Sequence, residues 1–197
     1  MIVLPEIPVE ISPKRLAALV GLSAEEAGSF LDQVHDLIKP SAVFDEVDPM
    51  AVLGAIISDT DQAWGAQVII GLCSLGTRAG RLITETPSFS SFWPGLSKLA
   101  LRDALDYLEY RVRLYLRPAG LEPGDLLVPG CQALPLAANQ VILKHCDPEQ
   151  NLGLTVDLSG EIDSRAGIAF VYTTEARSKE ERSRCANCSR ADCPARL

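Results

Sequence analysis

Histidine is scarce in this chain, with 2 in 197 residues, and the sequence has no glycine-rich phosphate loop, no Ser/His/Asp set and no His/Glu cluster at metal-ligand spacing. A conventional hydrolase, which needs a positioned base, is disfavoured on that ground. Long apolar runs are missing too. No window approaches the roughly 20 unbroken apolar residues that cross a bilayer. The opening MIVLPEIPVE has acidic residues and prolines where a signal peptide needs a basic patch followed by an apolar run. A cytoplasmic location and no membrane partner are therefore expected. Positive charge is also short, the formal net charge being −8. Holding a phosphate backbone takes a clustered positive field, so no nucleic-acid partner is expected. There is no internal repeat.

What is present suits a real core. With 47% hydrophobic and 22% charged residues, the chain reads as one globular domain with small appendages. Its charge is unevenly spread. From Glu175 onward six basic residues (Arg177, Lys179, Arg182, Arg184, Arg190, Arg196) face four acidic ones, which leaves 12 of the chain's 18 basic and 22 of its 26 acidic residues in the body. A basic tail on an acidic body is expected to fold back or to meet an acidic partner.

Residues 1–40 read as a helical appendage. Ser12-Pro13 sets a cap residue before a proline at the first helical position, and Ser23 with Glu26 forms a capping-box pattern. Phe30, Leu31, Val34, Leu37 and Ile38 then make an apolar stripe, beside which His35 reads as an ordinary surface histidine. From Ser41 the pattern shifts to β-rich runs. AVFDEV is one; Gln67–Gly76 is the other, and it is too continuously apolar to be a one-sided strand, so a central position is expected, with Cys73 as a small core residue. A long amphipathic helix is predicted over Leu96–Leu116, then two proline- and glycine-rich turns (LRPAGLEPGD and VPGCQALP), then a helix over Pro135–His145. Two closing strands are predicted, LGLTVD and GIAFVYTT. The fold class that follows is α+β: a central, mainly antiparallel sheet flanked by helices in residues 41–174, with a cysteine-rich tail over 175–197.

The stretch VPGCQALPL (Val128–Leu136) resembles a segment of small anaerobe proteins related to the activation domain of cobalamin-dependent methionine synthase, typically Ser-Pro-Gly-Tyr-Gly-Asp-Trp-Pro-Leu; Pro129, Gly130, Pro135 and Leu136 agree. The order of neighbours is similar as well. An apolar strand ends in Ser74-Leu75-Gly76, a long helix precedes the Pro-Gly turn, Gly153-Leu154-Thr155 and a final apolar strand (Gly167 to Tyr172) follow it, and Cys-x2-Cys-x4-Cys-x2-Arg closes the chain. The resemblance spans roughly residues 41 to 197. It implies a partner-binding α+β domain that serves a corrinoid-binding protein or methyltransferase subunit, cobalamin being held by that partner. It also implies a ligand turn at Val128, Pro129, Gly130 and Cys131. In the family this turn resembles Arg-Pro-Ala-Pro-Gly-Tyr and binds S-adenosylmethionine. Here the arginine position is Leu126 and the tyrosine position is Cys131, so both polar readers are missing, which argues against S-adenosylmethionine as a ligand. Arg117 or Arg165 could replace the arginine in a surviving methyltransferase.

Six cysteines would make an even disulfide set in a secreted protein, but three crowd into Cys185, Cys188 and Cys193, on a segment too polar to pack by itself. Thiolates three and five residues apart can converge on one soft ion. Zinc and an iron–sulfur cluster both remain open as cofactors. Cys131 or Cys146 is available as a fourth ligand to a cluster, and the spacing also resembles the start of the cluster motif of corrinoid iron–sulfur proteins. His145 and Cys146 point about 100° apart on a helix and do not suit a single metal. Asp157, Glu161, Asp163 and Arg165 read as solvated hairpin charges or as groups for a polar ligand. The leading expectation is an accessory protein of corrinoid-dependent methyl transfer; a zinc-stapled scaffold is its rival.

Overall fold

A computed structural model describes residues 1–57, 64–79, 91–131, 134–154 and 166–176. Its centre is a five-stranded sheet in the order β1-β2-β3-β5-β4, built from β1 (Ile2–Leu4), β2 (Ser41–Val47), β3 (Val68–Ser74), β4 (Leu121–Leu127) and β5 (Gly167–Ala176). Every pairing is antiparallel. The helices are α1 (Pro13–Val20), α2 (Ala24–Val34), α3 (Pro49–Ile57), α4 (Trp93–Leu116), α5 (Ala138–Cys146) and α6 (Pro148–Leu152).

β3 is central and buried along its whole length, as its unbroken apolar run requires. Its alternate residues feed two layers. Val68, Ile70 and Leu72 pack with Val43, Val47, Ala169 and Val171 against α3 and α5, while Ile69 and Cys73 pack with Phe44, Phe170 and Tyr172 against Ala104, Leu108, Val112 and Leu116 of α4. At Gly71 the neighbouring strands close in until a side chain has no room: an added Cβ would lie 2.5 Å from Phe170 Cζ and from the Val43 carbonyl oxygen.

Residues 1–40 form the two expected helices, and the capping box at Ser23 and Glu26 is present in both directions. They are more than an addition to the outside. β1 extends the sheet along β2, and Leu16, Ala27, Phe30 and Val34 share a third core cluster with Trp93 and Leu96 of α4. The Trp93 indole N–H is buried there with no hydrogen-bond partner among the described residues.

β1 is one of four elements that differ from the sequence expectation. β4 falls within what reads as a proline- and glycine-rich turn; it forms because an edge strand tolerates a proline, and its register shifts between Pro123 and Leu126. The short helix α3 was not expected. Leu152, predicted to open a closing strand, instead ends α6, with Gly153 capping it at φ 64°. The remainder of that predicted strand, from Thr155, lies outside the described residues, as do Asp157, Glu161, Asp163, Arg165 and the cysteines at 185, 188 and 193. Among the described residues no helix is long and apolar enough to cross a membrane.

Candidate functional site

The site begins where α4 ends. A 3-10 turn over Arg117–Ala119 and a left-handed Gly120 (φ 73°) reverse the chain into β4. The irregular stretch of that strand is pinned by the Asp125 N–H, which donates to Thr173 Oγ1 at 2.8 Å. Leu126 then faces the α4 layer and Leu127 the α5 layer. The next residues leave the sheet as the turn singled out in the sequence.

That turn is held by its own backbone. The Cys131 N–H donates to the Val128 carbonyl at 2.9 Å, the Gly130 N–H to the Leu134 carbonyl at 2.9 Å, and the Leu134 N–H to the Cys131 carbonyl at 3.3 Å. Gly130 sits at φ 82°, a conformation that glycine adopts without a Cβ clash. Leu134 is the anchor, buried beside Ala138 and Ile142 of α5. The structure thus brings Val128, Pro129, Gly130 and Cys131 into one compact loop: Val128 and Pro129 are half-buried, while Gly130, Cys131 and the nearby Leu136 are exposed. Because the Gly130 and Cys131 amides are both spent inside the turn, its tip offers carbonyl oxygens, a thiol and apolar surface to a visitor. Leu126, at the family's arginine position, packs half-buried on the α4 layer.

The described cysteines are not equivalent. Cys73 and Cys146 are fully buried, and burial pushes each thiol up to about 12, with the negative charge of Asp45 adding to the effect at Cys146. Cys131 is exposed and free. Cys131 is therefore open to an approaching ion or ligand, whereas Cys146 could be reached only by opening the core. Among the described residues no group of three or more His, Cys, Asp or Glu side chains is arranged to hold a metal ion.

One polar constellation escaped the sequence reading. His145 Nε2 lies 2.9 Å from Asp45 Oδ2, and the Met1 ammonium lies 2.8 Å from Asp45 Oδ1. Partial burial raises the Asp45 carboxyl, but the hydrogen bonds from the Met1 ammonium and His145 outweigh it and hold the group below its ordinary 3.8. His145 thus faces a carboxylate while Cys146 faces the core, and the two share no site. On the opposite face of β2, Glu46 accepts a hydrogen bond from Tyr115 and, with burial, raises that phenol. A sequence separation of 100 leaves no local signal for the first pair. Its only trace is the alternation of Val43, Asp45 and Val47 on one strand face.

No family model matches this chain, and no curated protein matches it. A solved structure does: the crystal structure of the MetH reactivation domain bound to AdoHcy superposes on 87% of this chain and 69% of its own length, with a TM-score of 0.55. The chain has the fold of the MetH reactivation domain. Sequence identity over the match is 14%, so the likeness is one of architecture, and it agrees with the resemblance carried by Pro129, Gly130, Pro135 and Leu136.

Proposed function

We propose that this protein is an accessory factor of corrinoid-dependent methyl transfer, which docks on a cobalamin-carrying protein and assists its reactivation. The shared fold with the MetH reactivation domain is the observation that carries this reading. The Val128–Cys131 turn supports docking over S-adenosylmethionine chemistry: its tip amides are already bonded, and the two positions where the family has polar readers hold an apolar contact at Leu126 and a thiol at Cys131. Cys185, Cys188 and Cys193, with Cys131 as the accessible fourth ligand, would hold an iron–sulfur cluster in this reading. Such a cluster supplies single electrons for reducing an oxidised corrinoid.

The deciding experiment mixes the full chain, purified without oxygen, with the cobalamin-binding module of a methionine synthase carrying cob(II)alamin. Complex formation at micromolar concentrations is expected, together with a brown colour that dithionite bleaches. No association at high micromolar concentration would sink the docking role. The same Leu126 observation favours a second reading, a non-catalytic binding protein stapled by zinc. Colourless protein with one equivalent of zinc would establish that reading over electron delivery.

A further inference from the structure

A cleft of about 500 Å3 opens between the segment that precedes α1 and the C-terminal end of α2, at the β1–β2 side of the molecule. This is a ligand-sized volume. Its floor is apolar: Ile7, Val34 and Ile38 are buried, and half-buried Val9, Ile11 and Leu31 line it further. One wall is the irregular segment before α1, in which buried Ile7 and half-buried Val9 and Ile11 alternate with exposed Glu6, Pro8 and Glu10. That wall is fastened by the Ile7 N–H, which donates to the Pro40 carbonyl at 2.7 Å. The rim is mainly acidic. Glu6 and Glu10 stand on the wall and Asp36 on the α2 side, with His35 Nδ1 3.4 Å from its Oδ1; among the described residues of the lining, Lys39 is the one permanent cation.

We propose that this cleft binds an extended peptide segment of a partner protein in which apolar side chains alternate with lysine or arginine. The apolar floor supplies the affinity, and the carboxylates of Glu6, Glu10 and Asp36 select the sign of the charge. An extended occupant fits because the wall itself repeats every two residues, so a segment laid alongside it presents its apolar side chains at the same spacing. A second copy of this chain is a poor occupant, since each copy carries a net charge of −8. The inference rests on the cleft alone and is independent of the corrinoid reading.

The test uses the full chain and a fluorescein-labelled hexapeptide of alternating leucine and lysine, followed by polarisation. Binding is expected, and it should weaken about tenfold in the Glu6→Gln, Glu10→Gln, Asp36→Asn variant, each exposed pair contributing a fraction of that factor. A matched variant, Asp106→Asn, Asp125→Asn, Glu149→Gln, removes the same formal charge away from the cleft and should bind like the parent. Leu31→Gln, which spoils the apolar lining without adding charge or touching a buried position, should also weaken binding. Equal loss in both charge variants, or binding that is indifferent to Leu31→Gln, would mean that only bulk charge attracts the peptide and would overturn the proposal. So would a carbodiimide cross-link from Glu6, Glu10 or Asp36 to Lys179 in the protein alone, because the chain's own basic tail would then be the occupant.

Discussion

Asp45 ties the start of the chain to the end of α5: one carboxylate oxygen meets the Met1 ammonium at 2.8 Å and the other meets His145 at 2.9 Å. Since these contacts hold the folded-state carboxyl below its ordinary 3.8, the stability they add is complete above that value and disappears as pH falls through the lower folded-state value. The partly exposed setting limits the size. Asp45→Asn should cost about 1 kcal/mol at neutral pH. Chemical denaturation at a series of pH values is the check: the variant should lose part of the parent's acid-side slope below about pH 4, and identical slopes would show that the pair adds nothing.

Two glycines should respond very differently to alanine. At Gly71 an added Cβ would lie 2.5 Å from Phe170 Cζ and 2.5 Å from the Val43 carbonyl, in the centre of the sheet. Backbone cannot yield there as a flexible side chain can, so Gly71→Ala should cost about 3 kcal/mol or more. At Gly130 the new Cβ would meet, among the described residues, Leu136 at Cδ1 (3.3 Å) and Cβ (3.8 Å), and the main cost is the left-handed conformation itself, about 1 kcal/mol. Urea midpoints of the two variants, compared with the parent, decide this. A Gly130→Ala protein as unstable as Gly71→Ala would show that the turn is more tightly constrained than its exposure implies.

Elements whose apolar pattern suits one period were legible in the sequence. The unbroken run of β3 demanded a central strand, and the stripe through Leu101, Leu105, Leu108 and Val112 demanded a long helix, seen three residues longer at its start. The Ser23–Glu26 cap was readable because it is local and chemical. β1 was not, because three residues carry too little pattern. β4 was hidden because Pro123 and Gly124 mark turns almost everywhere except at a sheet edge, where an irregular strand can accept both. The Val128–Cys131 turn was visible as a Pro-Gly motif, but its backbone bonding to Leu134 needed coordinates. Asp45 and His145 were invisible because only the three-dimensional stacking of α5 on β2 brings them together.

Thiol chemistry should separate the described cysteines sharply. Cys131 is exposed at the tip of its turn, whereas Cys73 and Cys146 are buried with thiols pushed up to about 12. Only the thiolate alkylates at a useful rate, so burial blocks both access and ionisation. In folded protein stripped of metal and treated with iodoacetamide at mildly alkaline pH, peptide mass spectrometry should find Cys131 modified early. Cys73 and Cys146 should react only after denaturant is added. Early labelling of Cys146 would indicate that α5 opens from β2 readily, and that the Asp45–His145 contact does not hold it.

The terminal cysteines are expected to act as a unit that the body does not need. Cys185, Cys188 and Cys193 sit in a stretch with no apolar periodicity, so nothing but a bound ion or cluster and charge contacts can give that stretch order. The body is different in kind. Among the described residues, three apolar clusters draw on all five strands and the long helix between Leu4 and Tyr172. Replacing the three cysteines by serine should therefore abolish metal or cluster content, while the thermal transition of the body moves by no more than a few degrees. Loss of metal with an unchanged transition, read by elemental analysis and calorimetry on the same anaerobic preparation, is the expected pair of results. If the variant keeps its metal, the ligands lie elsewhere. If the body melts with the metal gone, the tail is part of the fold, and the division between a self-sufficient sheet and a metal-ordered tail is wrong.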